Sequence, residues 1–246
     1  MSKTLKINDK EIAVVEGETL IEAARRNGIE IPALCYVAGY HHQPSCMVCV
    51  VKDRTSNQMF PACSTLTVEG MEIETDSEEV RALRTMSLEL LLSDHIAACR
   101  PPCDPQNCKL RQYAITYRAK WNKFPRYSAI KPTQPQHIKD NLWFDVTKCI
   151  RCGLCVYNSN DGFTFKNRGF EMEVVCPKES VNNVDEVLWG ICPTGALYKE
   201  LKIENLALPF FVWKALILQH EKSRRDIGKD FIANKFKVEN IGYQSR

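Results

Sequence analysis

The chain has 246 residues, 33 basic and 30 acidic side chains and a formal net charge of +3, with 44% hydrophobic and 26% charged residues. That balance is ordinary for a globular protein and too small to make nucleic acid or an anionic membrane the main partner. Twelve cysteines, an opening MSKTLKINDKEIAVVEG without an apolar leader and no run of ~18 apolar residues predict a cytoplasmic, metal-holding protein without disulfides or a transmembrane segment.

In chain order, TLKI and IAVV read as two short strands turned at Asn8–Asp9. ETLIEAARRNG follows as a helix with Leu20, Ile21 and Ala24 on one stripe, Thr19 as N-cap and Gly28 as its stop. Strand, strand, helix and then a cysteine loop is the opening of a β-grasp ferredoxin. The loop supplies Cys35, Cys46, Cys49 and Cys63, spaced C-x10-C-x2-C-x13-C. Four thiolates meet the demand of a [2Fe–2S] cluster, two per iron, although the plant-type spacing has a shorter first gap. A structural zinc uses the same four ligands but joins two short knuckles, and only one pair is short here. After Cys63, LTVEGMEIET resumes strand character and completes the sheet.

Residues 76–93, DSEEVRALRTMSLELLLS, predict a helix capped by Asp76 with Val80, Leu83, Ser87, Leu90 and Leu91 as its stripe. DHIAACRPPCDPQNC then brings His95, Cys99, Cys103 and Cys108 within fourteen residues. One imidazole and three thiolates suit zinc as readily as an iron–sulfur cluster. Residues 111–140 are basic and aromatic, a pattern that can grip single-stranded nucleic acid. The preferred reading is a proline-punctuated linker whose rings pack on the flanking domains while its charges reach water.

KCIRCGLC, residues 148–155, aims Cys149, Cys152 and Cys155 at one point, and Cys192 in CPTGAL returns to it. This set suits one [4Fe–4S] cluster. A bacterial two-cluster ferredoxin would place a second set of thiols at Ser159, Asn182, Asp185 and Leu188, where this chain has none. The segment therefore reads as a two-cluster fold that carries one cluster. Cys176, left over, reads as a small buried hydrophobe. The tail LALPFFVWKALILQH is helical and apolar nearly all round, so it must be covered, and partner docking is the preferred reading.

The combined order of these motifs over residues 3–200 resembles the N-terminal iron–sulfur region of the large iron–sulfur subunit of NADH:quinone oxidoreductase, respiratory complex I. Multi-cluster [FeFe]-hydrogenases share that region. The diaphorase small subunit of NAD-reducing [NiFe]-hydrogenases is nearest in length. PAC at 61–63, ETDSEEV at 74–80, LLSDH at 91–95, NRGF at 167–170 and CPTGAL at 192–197 support the resemblance. It implies a [2Fe–2S] cluster on Cys35, Cys46, Cys49 and Cys63. It implies one [4Fe–4S] cluster on His95, Cys99, Cys103 and Cys108, and a second on Cys149, Cys152, Cys155 and Cys192. The family usually spaces the histidine site H-x3-C-x2-C-x5-C, whereas this chain has H-x3-C-x3-C-x4-C, so the middle ligand moves by one residue.

The expected fold is α+β, in five parts. Residues 1–75 form a β-grasp [2Fe–2S] ferredoxin domain and 76–115 a helix with the small loop domain of one histidine and three cysteine ligands. Residues 116–140 are a linker, 141–200 a bacterial-ferredoxin-like [4Fe–4S] domain and 201–246 a helical extension. No G-x-G-x-x-G follows a strand and no nucleophile–base pair stands out, so no catalytic site is visible. The expected function is an electron-transfer subunit between a flavin-containing NAD(P)H-oxidising subunit and a terminal catalytic subunit. A free-standing ferredoxin shuttle would not carry the apolar tail, and a zinc-stabilised scaffold would be colourless. Imidazole at His95 replaces an anionic thiolate, so that centre is predicted to have a higher potential than an all-cysteine equivalent. A redox titration followed by EPR checks this, and the His95 centre proving the lowest of the three contradicts it.

Overall fold

The protein is described by a computed structural model that covers residues 3–95, 108–121, 123–124 and 134–199. Cys99, Cys103, residues 125–133 and the tail from residue 200 onward, with its expected helix, lie outside the described residues.

β1 (Thr4–Ile7) and β2 (Lys10–Ala13) pair antiparallel around Asn8 and Asp9, both with positive φ, at 48° and 65°. Two left-handed residues give the tight hairpin whose twist matches that of its strands. The Asn8 amide also accepts the Thr75 N–H at 2.9 Å and donates to the Thr75 hydroxyl at 2.7 Å, closing the far end of the sheet. α1 (Leu20–Arg26) begins as expected at Thr19, whose N–H and hydroxyl both donate to the Glu22 carboxylate, at 2.9 and 2.7 Å. β3 (Val50–Asp53), β4 (Gln58–Pro61) and β5 (Glu72–Glu74) complete a five-stranded sheet of order β2-β1-β5-β3-β4. β5 runs parallel to β1 and antiparallel to β3. Leu5, Ile7, Leu20, Ile21, Val51 and Ile73 form the core under α1, and Cys49 and Cys63 are buried in the same core.

α2 (Glu78–His95) is the helix expected over 76–93, extended so that His95 is its last residue. Its first turn is capped by Ser77, whose hydroxyl accepts the Val80 N–H at 3.4 Å. Asp76, expected as the cap, instead pairs with Arg81 at 2.6 Å. The buried face also differs from the expected stripe: Val80, Arg84, Leu88, Leu92 and His95 point inward, while Leu83 and Leu90 are 38% and 52% exposed. The hydrophobic pattern misplaces this face because one inward position is an arginine. α3 (Lys109–Thr116) forms in a stretch read as cluster loop and linker, and buries Leu110 and Ala114, four residues apart, in the core shared with Leu88 and Leu92 of α2.

β6 (Gln136–Lys139), within the stretch read as linker, joins β7 (Leu142–Phe144) and β10 (Leu197–Lys199) in an antiparallel sheet of order β10-β7-β6. α4 (Leu154–Tyr157) and the hairpin of β8 (Thr164–Lys166) and β9 (Glu173–Val175) enclose a second core of Ile138, Phe144, Leu154, Phe163, Val174 and Leu188. Cys176 is buried in this core and its carbonyl accepts the Gln136 amide at 2.8 Å, consistent with a packing role. Three of the four positions where a two-cluster ferredoxin would place further thiols do structural work here. Leu188 fills the core, the Asp185 carboxylate accepts the Val187 N–H at 2.9 Å and the Ser159 hydroxyl accepts the Phe163 N–H at 2.9 Å. Asn182 is exposed. Among the described residues no helix is long and apolar enough to cross a membrane.

The ten-residue gap between Cys35 and Cys46 has a structural use. Val37 and Tyr40 pack on the second core, and Asn158 at the end of α4 clamps the His41 backbone. Its amide oxygen accepts the His41 N–H at 2.9 Å, and its Nδ2 donates to the carbonyls of His41 and Leu154, both at 2.8 Å. Asn158→Ala removes all three bonds. It is predicted to lower the stability of the folded protein by about 1–2 kcal/mol, measured as a fall in the urea midpoint.

Candidate metal centres

The first cysteine set is assembled from the loop after α1 and the two ends of the β3–β4 hairpin. Cys35, Cys46, Cys49 and Cys63 are all buried free thiols. They contact one another directly: Cys35 is hydrogen-bonded with Cys46 and Cys63, and Cys49 with Cys63. The Cys35 thiol is held far below its ordinary range by its hydrogen bonds with Cys46 and Cys63, with backbone N–H groups of Ser45 and Cys46 assisting. Cys49 is lowered by its bond with Cys63. Cys46 and Cys63 are raised, first by their bonds with Cys35 and then by further contacts and burial. Four buried thiols that perturb one another in this way fit ligands of a cationic centre.

The second complete set lies in the C-terminal module. Burial pushes the Cys149 thiol up to about 12, and Cys152 and Cys155 are also raised by burial, each of the three further raised by Cys192. Cys149, Cys152 and Cys155, raised by burial and by their thiol neighbours, need a cation close by to be ionised together. Backbone donors are already aimed at them: the Arg151 N–H lies 3.3 Å from the Cys149 sulfur and the Leu197 N–H 3.4 Å from that of Cys192. Met47 between Cys46 and Cys49, and Arg151 between Cys149 and Cys152, both take left-handed backbone, with φ of 54° and 57°. That turn directs successive N–H groups into the loop, the nest geometry that favours anionic sulfur. Gly153 follows at φ +78°, where a Cβ would meet the Tyr157 ring at 2.5 Å.

The third set is only half described. His95 is 2% exposed at the end of α2, and neither of its ring nitrogens has a hydrogen-bond partner among the described residues. Burial lowers its pKa to about 4, with the Asp145 carboxylate opposing and Lys148 assisting. An orphaned, neutral imidazole in the interior is the state in which histidine ligates a metal. Cys108, at the start of α3, is fully buried in the core that also holds Cys35, Cys46 and Leu92. His95, Cys46 and Cys149, one from each expected set, line a single cavity of about 210 Å3 together with Met47, Leu90 and Ile150. Among the described residues no three His, Cys, Asp or Glu side chains converge on the position of one metal ion. Arg84 and Lys148, the cations placed beside these sets, were not singled out by the sequence patterns.

Residues 3–78 match the family of the 2Fe-2S iron–sulfur cluster binding domain, so the N-terminal module is a domain of that class. Along most of its length the chain is homologous to subunits of NADH-quinone oxidoreductases and of NAD(P)-reducing hydrogenases. It is 32% identical to the HndD subunit of the NADP-reducing hydrogenase of Solidesulfovibrio fructosivorans, across 92% of this chain and 41% of that one. It is 30% identical to the G subunit of the NADH-quinone oxidoreductase of Rickettsia prowazekii, across 78% of this chain and 29% of that one. The chain thus spans less than half the length of these two relatives. With the gamma subunit of the NAD-reducing hydrogenase HoxS of Cupriavidus necator it shares 26% identity, over 81% of this chain and 88% of that one. A chain in the crystal structure of an NAD+-reducing [NiFe]-hydrogenase in the H2-reduced state has the same fold, with a TM-score of 0.70, 24% identity and coverage of 85% and 91%.

A buried histidine that is neutral when folded and charged when unfolded makes stability depend on pH. Its folded pKa of about 4 lies below the ordinary 6.5, so the unfolded chain binds the proton first as pH falls. The contribution is complete above pH ~6.5 and lost progressively towards pH ~4, amounting to about 3 kcal/mol. Denaturation of the metal-free protein across that window is expected to show this loss, and His95→Leu to flatten it.

Proposed function

We propose that this chain is the iron–sulfur electron-transfer subunit of a multi-subunit oxidoreductase. In this reading it holds one [2Fe–2S] cluster on Cys35, Cys46, Cys49 and Cys63. One [4Fe–4S] cluster sits on His95, Cys99, Cys103 and Cys108, and another on Cys149, Cys152, Cys155 and Cys192. The observation that carries it is the cavity lined by Cys46, His95 and Cys149, because residues from all three sets border one pocket. Cys35 and Cys46 also share a core with Cys108, against which Cys152 packs. Centres gathered this closely suit relay of electrons within one body. The clusters supply reversible one-electron chemistry when bound.

The chain's own residues do the rest. Burial of Cys35, Cys46, Cys49, Cys63 and Cys108 keeps water from those sulfurs, which tunes potential and protects them. Backbone N–H groups of Arg151 and Leu197 donate to Cys149 and Cys192 and stabilise their negative charge. Unpartnered His95 is neutral and free to bind iron through either nitrogen. In this reading, one end of the relay is a flavin-containing NAD(P)H-oxidising subunit. The other is a catalytic subunit of hydrogenase, formate dehydrogenase or complex I type, with the apolar C-terminal extension as a docking arm.

Iron and acid-labile sulfide, measured per chain on anaerobically purified protein, test the reading. The expected result is near ten irons, with one [2Fe–2S] and two [4Fe–4S] signatures by EPR. Zinc in place of iron overturns it. About six irons would mean that one cubane site does not assemble, and a Cys103→Ser variant with unchanged iron would remove Cys103 from the ligand set.

A further inference from the structure

Arg84 is a buried cation that no ligand set uses. Its side chain is 1% exposed, and all three guanidinium nitrogens are engaged. Nε donates to the Val48 carbonyl at 2.8 Å, Nη2 to the Val50 carbonyl at 2.9 Å and the Thr75 carbonyl at 3.1 Å, and Nη1 to the Tyr117 hydroxyl at 2.7 Å. These partners are all neutral. Asp76 stands 3.8 Å from Nη1, but its side chain is half exposed, so its charge offsets that of Arg84 only in part.

Val48 and Val50 are the two residues that flank Cys49. The guanidinium is therefore bolted to the backbone on both sides of one expected [2Fe–2S] ligand, behind the Cys46–Cys49 loop. A buried cation held only by neutral dipoles is costly unless a negative charge lies within reach. Four thiolates and two sulfides outweigh the charge of two ferric ions, so a [2Fe–2S] centre is anionic, and one electron makes it more so. A fixed positive charge in a dry interior favours that reduced state. Arginine suits the place better than lysine, because its planar fork can satisfy the carbonyls of Val48, Val50 and Thr75 at once.

We propose that Arg84 positions the Cys46–Cys49 loop and raises the reduction potential of the N-terminal [2Fe–2S] centre. The proposal rests on the reading of Cys35, Cys46, Cys49 and Cys63 as the ligands of that centre. Arg84 acts through backbone and field and does not touch the reacting atoms. The centre accepts one electron, supplied in the test by dithionite, and no proton need move.

The test is an EPR-monitored dithionite titration of the full chain carrying its clusters, at low ionic strength, in the native protein and in R84Q, R84K and D76N. In R84Q the ratio of reduced to oxidised [2Fe–2S] at a fixed potential is expected to fall about tenfold, a midpoint ~59 mV more negative. R84K keeps the charge and is expected to shift that ratio by less than about threefold, while losing stability to urea. An intact [2Fe–2S] signal in R84Q with an unmoved midpoint overturns the proposal, as does an equal fall in R84K and R84Q. If R84Q fails to assemble, D76N decides. Removing the half-exposed carboxylate beside Arg84 should raise the ratio about two- to threefold, and no change overturns the proposal. A native protein without any [2Fe–2S] signal would instead refute the cofactor reading, a distinct failure.

Discussion

Sulfur that must carry negative charge away from water needs hydrogen-bond donors aimed at it or a cation close by. Among the described residues, two modules of this fold supply such groups. In the N-terminal module the need is met by N–H groups of Ser45, Cys46 and Val48, with Arg84 fixed behind the same loop. In the C-terminal module it is met by the N–H groups of Arg151 and Leu197, with the Lys148–Asp145 pair at 3.2 Å nearby. The secondary structure is sparse because so much of the chain is spent on these loops. The five-stranded sheet and α2 give them a rigid base, and burial of Leu88 and Leu92 beside Cys46 and Cys108 couples the helix to the thiols.

The second organising feature is that the modules are not beads on a string. The long segment between Cys35 and Cys46 leaves its own sheet and lays Val37 and Tyr40 on the core of the C-terminal module. Asn158 then secures the His41 backbone by both its donor and its acceptor atoms. Arg84 makes a comparable tie on the other side, from the backbone around Cys49 to Tyr117 at the end of α3. Loop length that looks like a departure from the plant-type spacing is thus the material of an internal interface.

Much of this was legible in the sequence. Spacing alone drew attention to Cys35, Cys46, Cys49 and Cys63 and to Cys149, Cys152, Cys155 and Cys192, because thiols at C-x2-C suit metal binding. The Asn8–Asp9 hairpin and the Thr19 start of α1 follow from local chemistry that tertiary contacts did not override. The inward face of α2 was not legible. Hydrophobic periodicity assigns an arginine to solvent, and only the carbonyls of Val48, Val50 and Thr75, brought together by folding, make Arg84 an interior residue. β6 escaped notice for a related reason: Gln136–Lys139 has a single apolar residue, Ile138, and becomes a strand by pairing with β7. α3 was masked by aromatic and basic residues that suggested a linker, whereas Leu110 and Ala114 are what fix it.

The ferredoxin-like segment has also closed a door behind itself. Leu188 has become part of the hydrophobic core, Asp185 caps a 3-10 turn and Ser159 ties the chain before Phe163. Returning cysteines to those positions would open a cavity at Leu188 and strip two turns of their hydrogen bonds before any metal could bind. A second set of thiols is therefore not four substitutions away. What bars it is packing rather than redox chemistry.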